Sequence, residues 1–257
     1  MKDCIGTVIS NEFLSDRYYK VRLKCEEIAT TIKPGQFVMF KCSDGNDPLL
    51  RRPFSVYRYF PEEGEIEFAY LLKGRGTELM TRLKEGDQVK ILGPLGNSFE
   101  INESTKGIGV LGRGVGIASV AILAENAAKE GIYSVAILSG RNKGSVIGKE
   151  FLNSAGCDVF GITDEEGTST LENIESILVP KIESGLIQQL YSCGSNRMGR
   201  LVKELSNKYN LDSYISFEEH MACGFGVCKG CTCKTKDGYK TVCHDGPIFR
   251  IQEVDLE

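Results

Sequence analysis

The sequence predicts a multidomain α+β protein in three blocks: an antiparallel β-barrel over residues 1–100, a parallel α/β domain over 101–212 and a small cysteine-rich module over 213–257. Three observations predict it. Short segments of alternating polarity, separated by turn residues, fill the first block. Apolar β-branched runs alternate with helical patterns in the second. Five of the ten cysteines fall within residues 221–243. With 257 residues the chain is long enough to bury a real core, so the cysteines are not needed as disulfide staples.

In the first block, Val21–Cys25, Glu65–Tyr70 and Gln88–Leu92 alternate as half-buried strands do. Pro34-Gly35, Asp44-Gly45-Asn46-Asp47-Pro48, Pro61–Gly64 and Gly93-Pro94-Leu95-Gly96-Asn97 supply the turns between them. Many short strands at this spacing suggest a barrel. In the second block, the apolar run Gly107–Leu111 leads into a glycine turn and an Ala-rich helix from about Ile117 to Lys129. Tyr133–Ser139, Cys157–Ile162 and Gln188–Ser192 are further strand runs, and Met198–Tyr209 reads as a helix. Strands alternating with helices imply a parallel sheet with crossover connections.

Composition excludes several classes. The net charge of −4 offers no basic excess for nucleic-acid phosphates. No apolar run reaches the roughly 18 residues of a membrane span, and the start has no apolar signal region, so a cytoplasmic protein is expected. Only two histidines, His220 and His244, are present, which rules out a multi-histidine metal site. In a reducing compartment, clustered cysteines point to metal or redox chemistry.

Cys223, Cys228, Cys231 and Cys243 are spaced C-x4-C-x2-C-x11-C. The first three match the plant-type [2Fe–2S] spacing, in which a loop wraps the cluster and a distant cysteine closes it. Gly224, Gly226 and Gly230 let the backbone approach closely. A structural zinc site and a loop of buried thiols are the competing readings. Zinc favours paired C-x2-C motifs or added histidines, and this loop has one such pair. Cys233 is a fifth thiol in the segment, read as non-ligating.

The first block carries Arg52-Pro53-Phe54-Ser55 after Pro34-Gly35-Gln36-Phe37. An arginine there can neutralise a pyrophosphate, and a serine hydroxyl can bond a flavin ring nitrogen. Gly74-Arg75-Gly76-Thr77 opens a helical stretch from Glu78 to Leu83, and glycine N–H groups at a helix start suit a diphosphate. The second block carries the turn Gly112-Arg113-Gly114-Val115-Gly116 and, later, Cys193-Gly194.

The order of these motifs resembles the ferredoxin–NADP⁺ reductase superfamily. The run from Glu218 to Cys231, closed by Val242–Phe249, resembles more particularly the electron-transfer subunits of two-subunit, NAD-linked bacterial dihydroorotate dehydrogenases. The resemblance implies a six-stranded FAD barrel, a nucleotide domain and a [2Fe–2S] module. It implies that Arg52, Pro53, Phe54, Ser55, Tyr70, Gly76 and Thr77 contact FAD. It implies that Gly112, Gly114 and Gly116 hold NAD, with Cys193 and Gly194 near the nicotinamide, and that Cys223, Cys228, Cys231 and Cys243 hold the cluster. It further implies an FMN-containing catalytic partner that oxidises dihydroorotate in pyrimidine biosynthesis. It also implies a heterotetramer of two of each, with electrons running from cluster to FAD to NAD⁺.

The nucleotide domain departs from the family pattern. Arg113 replaces a glycine, Ser119 and Ser195 stand where prolines are usual, and Glu172 falls where a lysine is usual. The segment Thr163–Thr170 matches the family only loosely. A side chain at 113 either obstructs the nucleotide or adds a cation beside a phosphate. Two other functions therefore stay open: a related reductase subunit of a hydrogenase, sulfide dehydrogenase or ferredoxin–NADP⁺ transhydrogenase, with weakened NAD binding, and a zinc-stabilised binding module without redox chemistry.

Overall fold

The alternating segments of the first block pair into one antiparallel sheet in a computed structural model that describes residues 1–256. Strands β1 (Lys2–Ser15), β2 (Tyr18–Lys24), β3 (Phe37–Phe40), β4 (Arg52–Ser55), β5 (Arg58–Phe60), β6 (Glu65–Leu71) and β7 (Gln88–Leu95) lie in the order β4-β3-β7-β1-β2-β6-β5. Period two decides the faces. Across β2 and β6, Val21 pairs with Phe68 and Leu23 with Ile66, all fully buried, while the intervening Arg22 pairs with Glu67. Each such apolar side chain contributes about 1.5–3 kcal/mol on burial. The sheet curls until β4 approaches β6, where the Phe54 and Tyr70 rings stand 6.1 Å apart. The resemblance implies six strands; the seventh is the three-residue β5, which hydrogen-bonds to β6 at the sheet edge. Two short helices, α1 (Glu26–Ala29) and α2 (Arg75–Met80), connect the strands.

The second block is a parallel sheet with crossover helices. It runs β8 (Gly107–Arg113), α3 (Ile117–Lys129), β9 (Tyr133–Gly140), α4 (Lys149–Ser154), β10 (Asp158–Thr163), α5 (Leu171–Glu183), β11 (Gln189–Cys193), α6 (Asn196–Tyr209) and β12 (Asp212–Ser216). Near-continuous apolar strands such as Ile108–Leu111 and Val135–Leu138 are buried, as a sheet covered on both faces requires. Helix α5 buries Ile174, Leu178 and Ile182 at helical spacing, and the Thr170 hydroxyl caps it by accepting from the Asn173 N–H at 3.2 Å. Helix α6 ends at Asn210, whose φ of 53° stops it.

The tail adds β13 (Thr232–Thr235), β14 (Gly238–Thr241), α7 (Val242–Asp245) and β15 (Ile248–Arg250), the last pairing antiparallel with β12. The second sheet therefore reads β10-β9-β8-β11-β12-β15. Its strand order reverses between β8 and β11, which makes their C-terminal ends a topological switch point. The chain divides into two compact units. One holds Met1–Ser98, Glu218–Cys233 and Tyr239–Pro247; the other holds Phe99–Phe217, Lys234–Gly238 and the segment from Ile248 onward. No helix among the described residues is long and apolar enough to cross a membrane.

Candidate functional site

The cysteine loop belongs to the same unit as the barrel. Its four thiols fall as two neighbouring pairs: Cys228 stands beside Cys223 and Cys231 beside Cys243, close enough for each neighbour to shift its partner's thiol. Cys231 and Cys243 are buried, Cys223 is half-buried and Cys228 is exposed. Backbone donors point at the sulfurs: the Gly226 N–H donates to Cys243 Sγ at 3.1 Å and the Cys243 N–H to Cys231 Sγ at 3.4 Å. Burial pushes the Cys243 thiol up to about 12, and neighbouring Cys231 adds to it. At Cys223 burial also raises the thiol, but the backbone N–H groups of Cys228, Phe225 and Val227 and the Cys228 side chain outweigh it and bring it down to about 6.

This arrangement fits two irons, each taking two thiolates, with N–H groups left to bond the sulfurs. Among the described residues, no three His, Cys, Asp or Glu side chains are gathered on one point. Cys233, buried on β13, stays outside both pairs, and burial followed by nearby Glu219 pushes its thiol up.

Gly224 explains how the loop is seated. Its φ is 84°, and a Cβ there would lie 2.4 Å from Met39 Cγ on β3. Met39 in turn pairs with Pro53 on β4. The cluster loop therefore rests on the strand next to the Arg52–Ser55 motif. The Asp245 carboxylate closes the loop, accepting from the Thr241 N–H at 2.6 Å and its hydroxyl at 2.8 Å.

The motif residues gather on the barrel. Arg52 Nη1 donates to the Leu50 carbonyl at 2.7 Å, and Gly76 sits against this side chain, with its missing Cβ only 3.3 Å from Arg52 Cγ. The Thr77 hydroxyl accepts from the Lys73 and Gly74 N–H groups at 3.0 and 3.2 Å and so builds the turn before α2. Phe54 meets both Phe40 and Tyr70 edge-on. Ser55 ends β4 opposite Phe37. Tyr70 is fully buried, and burial pushes its phenol up. Its hydroxyl donates to Asn11 Oδ1 at 2.9 Å, while Asn11 Nδ2 donates to the Met80 and Leu83 carbonyls. Sequence reasoning missed Asn11; a polar residue in the middle of an alternating strand was its only signal. The arginine beside a glycine turn suits a diphosphate, and the aromatic residues suit a flat ring system.

In the other unit, the glycine turn joins the ends of β8 and β11. A Cβ on Gly112 would lie 2.7 Å from Ile117 Cα, and one on Gly116 would lie 2.7 Å from the Cys193 carbonyl oxygen. Gly114 and Gly194 take positive φ, 57° and 123°, and Gly194 packs against the Arg113 backbone. The Cys193 side chain is buried. Arg113 is carried toward the neighbouring strands: Nη1 donates to Ser139 Oγ at 2.7 Å and Nη2 to Asp164 Oδ2 at 2.6 Å. Ser119, in the proline position, donates its hydroxyl to Ser216 Oγ at 3.1 Å.

Comparison with known proteins agrees with this geometry. Residues 6–99 match the oxidoreductase FAD-binding domain, and residues 218–255 match the iron-sulfur cluster binding domain of dihydroorotate dehydrogenase B. The chain is 35% identical over 251 residues to the dihydroorotate dehydrogenase B (NAD(+)) electron transfer subunit of Caldanaerobacter subterraneus, covering 96% of each chain. It is 33% identical over 257 residues to that of Geobacillus thermodenitrificans, covering 97% of each. A solved structure of an NADH-dependent reduced ferredoxin-NADP oxidoreductase, described for flavin-based electron bifurcation, shares the fold with a TM-score of 0.84 at 23% identity, covering 98% of this chain and 90% of that one. With an FAD-binding barrel, a paired-cysteine iron–sulfur module and end-to-end similarity to these relatives, the chain belongs to the family of dihydroorotate dehydrogenase B electron transfer subunits.

Proposed function

We propose that this chain takes electrons from an FMN-containing catalytic subunit that oxidises dihydroorotate, and passes them through a [2Fe–2S] cluster and FAD to NAD⁺. The observation that carries it is the seating of the cluster loop on β3, the strand paired with the flavin motif: Gly224 lies against Met39, and Met39 lies opposite Pro53. The bound groups supply one-electron relay at the cluster and conversion to two-electron hydride chemistry at the flavin.

The chain's own residues set this up in three functional parts, residues 1–100 for FAD, 101–212 for NAD and 213–257 for the cluster. Cys223, Cys228, Cys231 and Cys243 hold the irons. Arg52 and the Gly76–Thr77 turn hold the FAD diphosphate. Pro53, Phe54, Ser55 and Tyr70 position the ring. Gly112, Gly114 and Gly116 carry the NAD diphosphate, with Cys193 and Gly194 beside the nicotinamide. Cys228 is exposed beside Val227, 74% exposed, with exposed Phe225 nearby, which supports reading this loop as the face toward the catalytic subunit. We place the complex in the cytoplasm as two of each subunit; native mass measurement of the co-purified complex tests that stoichiometry.

Anaerobic titration tests the electron path. NADH added under argon bleaches the flavin absorbance of the purified chain. No bleaching at about 1 mM NADH, the upper end of ordinary substrate affinities, removes NAD⁺ as the acceptor. Dihydroorotate then reduces the same flavin only when the catalytic subunit is present.

A further inference from the structure

Five thiols lie in the cysteine-rich segment, and two irons with two thiolates each use four of them. The fifth, Cys233, is placed by the strand that carries it. On β13 the exposed Thr232 and Lys234 alternate with the buried Cys233 and Thr235, and Cys231 just before them is buried as well. Period two therefore puts Cys231 and Cys233 on one face, about 6–7 Å apart along the chain. That face is turned to the closing ligand. The Cys231 carbonyl accepts from the Val242 N–H at 2.9 Å, and the Cys243 N–H donates to Cys231 Sγ at 3.4 Å. Burial and then Glu219 push the Cys233 thiol up, and Cys231 and Asp245 stand close enough to add to it.

We propose that Cys233 is a reserve ligand: where the Cys231 sulfur is lost, Cys233 takes its place on the iron shared with Cys243, so that either of two thiols serves the third ligand position. This rests on the [2Fe–2S] reading above and deepens it.

The loop before β13 supplies the movement. Cys228, Lys229 and Gly230 are exposed, and Lys229 takes a φ of 57°. A Cβ added at Gly230 would lie 3.6 Å from Cys228 Sγ, an ordinary contact, so this stretch is not wedged in place. A shift by two residues returns a strand's side chains to the face they already hold, which a shift by one would not. The replacement spacing, Cys228-x4-Cys233, repeats that of Cys223-x4-Cys228. No cysteine lies two residues from Cys223, Cys228 or Cys243, so those three positions have no such substitute. The step is a ligand substitution. The Cys233 thiol gives its proton to solvent, its sulfur bonds the iron, and no electron is transferred.

Iron and flavin content, with low-temperature electron paramagnetic resonance of the dithionite-reduced chain, test this without an activity readout. Variants are purified under argon and compared per bound FAD. Cys233→Ala keeps the wild-type iron and spectrum. Cys231→Ala keeps at least about half of the iron, with a shifted spectrum, whereas Cys231→Ala/Cys233→Ala falls at least about fivefold below wild type, as Cys228→Ala does. The inference is overturned if Cys231→Ala, with FAD bound, loses the cluster as fully as Cys228→Ala, or if the double variant retains what the single one retains. If Cys231→Ala does not fold, as loss of FAD would show, Cys231→Ser decides. Adding Cys233→Ala to it must then shift or remove the signal, and an unchanged spectrum overturns the inference. A wild-type chain without a [2Fe–2S] signal would overturn the iron–sulfur reading itself, and this ligand with it.

Discussion

At the scale of single residues, the cysteines and Asn11 carry distinct burdens. Each thiolate in a two-plus-two arrangement is half of one iron's protein ligation. Cys228→Ser should therefore lower bound iron by at least about half while leaving FAD in the barrel. Parallel iron and flavin assays on the purified variant check this, and joint loss of both would show that the two sites are not separable. Asn11 is bonded to Tyr70, Met80 and Leu83. Asn11→Ala should cost about 1–3 kcal/mol, because it leaves the Tyr70 hydroxyl buried without its acceptor. Urea denaturation would reveal it, and a change under 0.5 kcal/mol, roughly the size of an ordinary surface substitution, would deny Asn11 that role. The cysteine ligands were legible because one short loop and one closing residue carry the whole pattern. Asn11–Tyr70 and Arg113–Asp164 were not, since 59 and 51 residues separate the partners and only the folded topology joins them.

At the scale of elements, strand alternation and the Ala-rich α3 were readable because their periodicities are strong. Helix α5 was not recognised. Pro180 reads as a breaker although it sits inside the helix. The close contacts between elements were also invisible, and they make the sharpest demands. Gly116→Ala would press a methyl group onto the Cys193 carbonyl, against backbone that cannot rotate away. It should destabilise its unit by about 1–3 kcal/mol and weaken NADH binding, as denaturation and titration would report. Gly224→Ala meets the flexible Met39 side chain but also a φ of 84°, which costs an L-residue roughly 1–2 kcal/mol. The loop should lift from β3. Stopped-flow reduction of the flavin through the cluster should slow, while direct reduction by NADH should not. Equal slowing of both would show that Gly224 acts on the fold as a whole.

At the scale of the whole molecule, the chain assembles from two units whose sequence composition is interleaved. The tail returns to the barrel through residues 218–233 and 239–247 and to the parallel sheet through β15. The change of texture near residue 105 was readable, because hydrophobic period two gives way to buried runs and helices. The return of the tail was not, because which strand edge accepts β15 is decided by packing. The interleaving puts the iron–sulfur loop and the flavin motif into one unit, so both centres belong to one folded body.

That both centres are carried by this one chain is the central claim, and low-temperature electron paramagnetic resonance addresses it most directly. The chain is purified under argon, reduced with dithionite and read alongside its flavin absorbance. The account predicts roughly one [2Fe–2S] spin per polypeptide together with a bleached flavin band, the spin disappearing in Cys228→Ser. A protein that carries zinc in place of iron, or that shows no such signal after full reduction, would contradict it.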